Sequence, residues 1–160
     1  RKNLLTILKS LNKLDNQKLV VIGNGKQYKR ICEEYIKKNN LTNKVTFLMN
    51  LDICEISCIY QLAEMLIYPS VSEGFGIPII EALFSNIPVI TTNGGCFKEA
   101  GGDHSIYINP LSVNEMTSSI LLIQKNKELR TRMKVEGMKH VKKFTTTNTS
   151  KQMIDVYNSF

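Results

Sequence analysis

Tryptophan is absent from the 160 residues, histidine occurs twice, and proline and cysteine occur four times each. No apolar run approaches the roughly 20 residues that cross a bilayer, which excludes a membrane-spanning helix. Cys32, Cys54, Cys58 and Cys96 form no C-x-x-C pair and have no zinc-type spacing. They are expected to be reduced packing residues, Cys54 and Cys58 lying one helical turn apart in an apolar-periodic stretch. No repeated unit recurs, which removes solenoids and low-complexity designs. An initiator Met is also lacking: Arg1-Lys2-Asn3 leads straight into a helical pattern, so the chain is read as an excised piece of a longer protein. A reducing cytoplasmic setting is the simplest expectation.

What remains is an ordinary globular composition, 42% hydrophobic and 22% charged, with a net charge of +7. Most of the surplus sits in one late segment, residues 125–143, where Lys125, Lys127, Arg130, Arg132, Lys134, Lys139, Lys142 and Lys143 are opposed by Glu128 and Glu136. Such a segment reads first as a solvated helix face, and as an alternative as a contact for an anionic membrane surface. No aromatic residues interleave with the charges to stack on bases, which argues against nucleic acid.

Strand and helix patterns alternate. Leu4, Ile7, Leu8, Leu11 and Leu14 have helical spacing, and Leu19-Val-Val-Ile22 reads as a strand buried on both faces. Helical patterns around Tyr28–Tyr35, Ile53–Ala63 and Pro78–Ser85 separate further strands at Val45–Met49, Met65–Tyr68, Val89–Thr91 and Ile106–Ile108. Gly94, Gly95, Gly101 and Gly102 mark a mobile loop region. Ser112 and Glu115 have capping-box spacing before a helix, and two more helices close the chain. The alternation predicts an α/β fold: a Rossmann-like parallel sheet with helices on both faces, and ligands at the carboxyl ends of its strands.

The stretch richest in chemistry lies at that edge: Pro69-Ser-Val-Ser-Glu73-Gly-Phe-Gly-Ile-Pro-Ile-Ile-Glu81. Gly74 and Gly76 permit unusual dihedrals and close approach of a ligand to the main chain. Pro78 suits the first helical position, and the unpaired N–H groups beside it form a site for phosphate oxygens. No Lys follows as in a P-loop. Glu73 and Glu81 bracket the turn, each able to accept two hydrogen bonds from a vicinal diol. Phosphates in the middle and sugars at both ends describe a nucleotide sugar; an ordinary α/β loop with an exposed helix glutamate is the alternative. Glycoside hydrolysis is disfavoured, because two carboxylates on one turn do not face each other across a sugar at roughly 5–10 Å. Gly23 and Gly25 lack the third glycine of a dinucleotide fingerprint, Tyr28 standing in its place. His104 lies in the glycine-rich region, where it can approach a ligand; His140 belongs to the basic helix and reads as solvated.

Glu73 and Glu81, with seven residues between them that include Gly-Phe-Gly-Ile-Pro, resemble the E-x7-E signature of retaining GT-B glycosyltransferases of group 1. That class holds glycogen-synthase-like, sucrose-synthase-like and lipopolysaccharide or capsule transferases. Val20-Val-Ile-Gly-Asn-Gly25, Val45–Leu48, Met65–Ser70, Pro88-Val-Ile90 and Glu99-Ala-Gly101 are similar to the family's segments in the expected order. The resemblance implies that residues 1–160 form one nucleotide-sugar-binding domain, the carboxyl-terminal half of a GT-B fold, with an acceptor-binding domain missing. It implies that Glu73 contacts the transferred sugar near the reacting carbon. The N–H groups of Gly74, Phe75, Gly76 and Ile77 would line the sugar and diphosphate, and Glu81 would bind the ribose diol. Lys2 would neutralise the diphosphate leaving group, with Gly23 in the G-x-G turn and Asn50 near the base. No metal or cofactor is implied, in keeping with the lack of D-x-D. The partners implied are a nucleotide sugar and a glycan or lipid-linked acceptor, in a cytoplasmic protein that can lie at the inner face of the membrane. The fragment alone is expected to be inactive. The family's first strand falls upstream of Arg1, which would leave a sheet edge exposed, and Thr146 replaces a frequent Trp. Another GT-B enzyme, such as a nucleotide-sugar epimerase or a phosphorylase-like enzyme, and a non-catalytic nucleotide- or partner-binding domain are the alternatives.

Overall fold

A computed structural model describes residues 2–23 and 25–159. Arg1 and Asn24, which the sequence places beside Lys2 and in the Gly23–Gly25 turn, lie outside them. The order is α1 (Leu4–Leu11), β1 (Leu19–Ile22), α2 (Lys26–Lys38), β2 (Val45–Leu48), α3 (Ile53–Leu62), β3 (Leu66–Tyr68) and α4 (Ile77–Phe84). It continues with β4 (Val89–Thr92), α5 (Cys96–Gly101), β5 (Ile106–Ile108), α6 (Val113–Lys125), α7 (Lys127–Val141), a 3-10 turn (Lys142–Phe144) and α8 (Thr146–Tyr157). All strand pairing among the described residues is parallel, as βαβ connections require.

The strands form two sheets. β1 pairs β2 in the register Leu19↔Val45 to Ile22↔Leu48. The second sheet has the order β3-β4-β5, with Leu66↔Val89 and Ile90↔Ile106. Its central strand, β4, is buried throughout, and alternation sends its side chains to opposite faces. Ile90 meets Ile7 of α1 and Met116, Ile120 and Ile123 of α6, while Val89 meets Ile79, Ala82 and Leu83 of α4 and Phe97 of α5. A third cluster joins Leu8, Cys32, Ile36 and Leu41 beneath β1 and β2.

β1 departs from expectation. Only alternate residues are shielded, and Val20 and Ile22 are 46% and 41% exposed, because α1 and α2 cover one face alone. Among the described residues its second edge pairs with nothing. The cysteine expectation fails in part for a related reason: Cys32 is buried, but Cys54 and Cys58 are exposed on α3, a helix with no buried residue. Asp52 and Glu55 form a full reciprocal capping box at its start. At α6 only half a box exists. Ser112 accepts from the Glu115 N–H at 3.2 Å, while the Glu115 carboxylate accepts from the Asn109 N–H.

The expected mobile loop also contains a helix. Phe97 and Ala100, three apart, give α5 a buried face that holds the glycine-rich region onto α4. Among the described residues no helix is long and apolar enough to cross a membrane.

α7 approaches α4 closely at Gly137. A Cβ there would stand 2.7 Å from Leu83 Cδ2, and Leu83 is itself locked in the core. Gly137→Val is therefore expected to destabilise the protein by about 1–3 kcal/mol through overpacking, read as a lowered urea midpoint. An unchanged midpoint would show that the helices separate freely.

Candidate functional site

The segment between β3 and α4 passes over the carboxyl end of the second sheet. β3 ends at Tyr68, Pro69 and Ser70 are buried, and the chain then opens toward solvent before Gly76 turns it into α4. Gly76 has φ +100, a backbone that favours glycine, and a Cβ there would sit 3.2 Å from Ile79 Cδ1. Gly74 does not share this feature: its φ is not in the left-handed region, and its Cβ position faces open space. Of the two unusual turns expected, one is present. Helix α4 begins at Ile77, which puts Pro78 at the second helical position rather than the first.

Gly76 has no side chain with which to cap α4. The N–H groups of Phe75, Gly76 and Ile77 donate to no acceptor among the described residues. They stand at the positive end of the helix dipole, where an anion gains both hydrogen bonds and charge stabilisation. Ile77 is 62% exposed, leaving this end open.

The two glutamates have different surroundings. The Glu73 side chain is only 9% exposed and lies 2.7 Å, through Oε1, from Lys2 Nζ. Lys2 also donates to the Tyr68 hydroxyl, its ammonium 4.7 Å from the centre of that ring. Burial pushes the Glu73 carboxyl up, but the hydrogen bond and charge of Lys2, with the neighbouring Ser70 and Tyr68 side chains, bring it below the ordinary glutamate value. Burial likewise pushes Lys2 down, and its bonds to Glu73 and Tyr68 raise it above the ordinary lysine value. Glu81 is exposed and accepts from the Tyr60 hydroxyl at 3.1 Å. Burial, then the Glu81 charge, pushes the Tyr60 phenol up, so it stays a donor across the physiological range.

A cleft of about 200 Å³ lies beside Glu73, between residues 71–73 and residues 92–97. The structure thus brings Lys2, Ser70, Tyr68 and Glu73 together at the start of the loop and holds Glu81 with Tyr60 at its far end. Gly23, with φ +130, and Asn50, with φ 57, end β1 and β2 of the other sheet. No hydrogen bond among the described residues joins either to the loop. His104 is exposed and precedes β5, at the amino-terminal edge away from the loop, so it does not approach this site. His140 is not simply solvated: its Nε2 lies 2.9 Å from the Glu99 carbonyl. Tyr60 and Tyr68 escaped the sequence reading because both sit at apolar-periodic positions, and only a hydroxyl marks them as more than core. Among the described residues no cluster of three or more His, Cys, Asp or Glu is arranged to hold a metal.

Parallel strands, an open helix start at their carboxyl ends and a carboxylate at each end of the loop define an α/β domain of the GT-B glycosyltransferase class. The chain belongs to the family described as Glycosyl transferases group 1, whose profile matches residues 1–140. It is 34% identical over 110 residues to the O-antigen chain mannosyltransferase RfbU of Salmonella typhimurium, covering 69% of this chain and 31% of that protein. The chain spans about a third of the length of the curated relatives it matches. The fold is that of Anabaena HepE, solved in complex with UDP and glucose: TM-score 0.90, 18% identity, 99% of this chain and 45% of that one. It is also that of the C-terminal domain of the group 1 glycosyl transferase LpcC from Francisella tularensis: TM-score 0.78, 24% identity, 89% of this chain and 79% of that one.

The pair Lys2–Glu73 yields a test. Glu73 contributes stability above the ordinary glutamate value and loses it as pH falls through its lowered native value. Lys2 contributes fully below the ordinary lysine value and loses its share as pH rises through its raised one. Lys2→Met is expected to raise the Glu73 titration midpoint, followed by carboxyl carbon NMR, and to shrink the stability lost on acidification. An unmoved midpoint would show that Lys2 does not hold the carboxylate.

Proposed function

We propose that the chain is the donor-binding domain of a retaining glycosyltransferase that moves a hexose from a nucleoside diphosphate sugar to a glycan or lipid-linked acceptor. One observation carries the reading: open amides at the start of α4, flanked by a carboxylate at either end of the loop. The amides of Phe75, Gly76 and Ile77, with Gly74 giving room, receive the diphosphate and sugar oxygens. Glu81, exposed and oriented by Tyr60, accepts both hydroxyls of the ribose. Glu73, already an anion, accepts from hydroxyls of the transferred hexose and lies close to its reacting carbon.

In the transfer the bond between anomeric carbon and diphosphate breaks, and the diphosphate leaves with the electron pair. The acceptor hydroxyl forms the new carbon–oxygen bond on the same face, and its proton passes to a departing phosphate oxygen. Lys2 stabilises the charge that accumulates on that phosphate, the kind of interaction that dominates many enzymatic rates. In this reading Lys2 exchanges its Glu73 partner for the diphosphate when donor arrives, which links the two groups of the site. Gly23 and Asn50, at the strand ends of the other sheet, flank the base. The donor is a substrate, and the proposal uses no metal or other cofactor.

The name of the Salmonella relative, a mannosyltransferase, supports a hexose as the group moved. Residues 1–160 act as one donor-binding unit, the acceptor being held by a second domain, so this chain alone binds donor and does not turn over acceptor. The site of action is the cytoplasm, at the inner face of the membrane, with the basic segment 125–143 toward the anionic lipid.

Calorimetry with UDP, GDP and their hexose derivatives tests the division of roles. A hydrogen bond to a charged group is worth roughly 1.5–3 kcal/mol, so Glu81→Ala is expected to weaken nucleoside diphosphates about 10–150-fold. Glu73→Ala is expected to spare the free diphosphates, since it releases Lys2, and to weaken the sugar nucleotides. Equal losses for both ligand types would contradict the assignment, and no binding by the wild type would overturn the reading.

A further inference from the structure

Gly76 is held locally by its packing on Ile79 and its carbonyl bond to the Ile79 N–H, whereas the Cβ position of Gly74 faces open space. Gly74 and Gly76 flank Phe75, and a residue between two glycines is free to swing unless its own side chain is anchored. The Phe75 ring supplies that anchor. It meets the ring of Phe144 edge to face, centroids 5.4 Å apart, in the 3-10 turn that follows α7. Phe144 is held in turn by His140, whose ring lies edge to face at 5.7 Å. His140 is fixed from the other side by its Nε2 on the Glu99 carbonyl and by Gly102, where a Cβ would come within 2.6 Å of the imidazole.

These contacts close on themselves. Glu99 belongs to α5, and Ala100 of α5 lies 3.6 Å from the Cβ position of Gly76, on the loop's other flank. The loop is therefore held between α5 and the 3-10 turn, and His140 ties those two supports to one another. Glu99 can only accept, so Nε2 carries the proton in this contact. Edge-to-face pairs fix orientation as well as burial, which suits them to hold a backbone rather than merely to fill space.

We infer that Phe144 and His140 are positioning residues that hold the Phe75–Ile77 amides in their binding orientation from outside the loop. The inference rests on the nucleotide-sugar reading for what the amides bind, but not for the brace itself. A loosened loop has to be ordered when ligand binds, and that cost appears as lost affinity with no ligand contact removed.

Backbone ¹⁵N relaxation on the 160-residue chain, followed by titration with UDP and GDP, tests it. In Phe144→Ala the order parameters of Phe75 and Gly76 are expected to fall from about 0.85 to below about 0.6, while Ala82 and Leu83 within α4 stay rigid. Affinity for the nucleoside diphosphates is expected to fall about tenfold. His140→Ala is expected to loosen the same amides less, and His140→Gln, which keeps a donor toward Glu99, to restore them. Unchanged order parameters at Phe75 and Gly76 in Phe144→Ala would overturn the brace. So would loss of order spread evenly through α4, or no difference between the alanine and glutamine variants of His140. Failure of the wild type to bind either nucleotide would overturn the donor reading instead, and the relaxation data would still decide the brace.

Discussion

The arrangement depends on one backbone constraint, the left-handed conformation of Gly76 at the start of α4. It turns the chain from a buried strand end into a helix without a capping side chain. A serine or aspartate at that position would satisfy one helix N–H by itself. Here Pro78 has no N–H to cap and the Ile79 N–H is already bonded to the Gly76 carbonyl, so the open donors are those of Phe75, Gly76 and Ile77, on a surface made positive by the helix dipole. The neighbouring packing makes that geometry rigid: Ile79 lies directly against Gly76, and Ala100 of α5 lies close by.

Two carboxylates, Glu73 in the loop and Glu81 within α4, have different surroundings around that start. Glu73 is mostly shielded, and Lys2 with its hydrogen-bond partners keeps it ionised against the cost of burial. Glu81 stands in solvent, and a half-buried phenol that is hard to ionise aims it. A shielded anion paired with a lysine ammonium suits a place where charge is redistributed. An exposed, oriented acceptor suits recognition of a neutral diol. The difference comes from what each residue sits against: Glu73 follows buried Pro69 and Ser70, while Glu81 lies on the outer face of a helix whose other face holds Ile79, Ala82 and Leu83.

The parallel α/β order and the place of the loop were legible in the residues, because short apolar runs alternating with helical spacing leave few other folds. The glutamate spacing and the glycines between them also marked the loop now put forward as the candidate site. Less was legible where packing between distant elements decides. Val20, Ile22, Cys54 and Cys58 look like core by periodicity, but the faces they occupy are not covered by the described elements. Phe97 and Ala100 make a short helix of what four glycines mark as a loop. By sequence His140 is an ordinary member of a basic helix, and only the tertiary fold brings its Nε2 to the Glu99 carbonyl. Tyr60 and Tyr68 carry the same lesson: a hydroxyl at an apolar position finds its partner only through the tertiary fold.

The central claim is that the amides at the start of α4, and not another edge of the sheets, receive the donor. Amide chemical-shift mapping during titration with UDP- and GDP-hexoses measures this directly. The account predicts the largest changes at Phe75, Gly76 and Ile77, with accompanying shifts at Glu73 and Glu81. Saturating changes confined to other strand ends or to the basic face of α7, with these three amides unmoved, would contradict it.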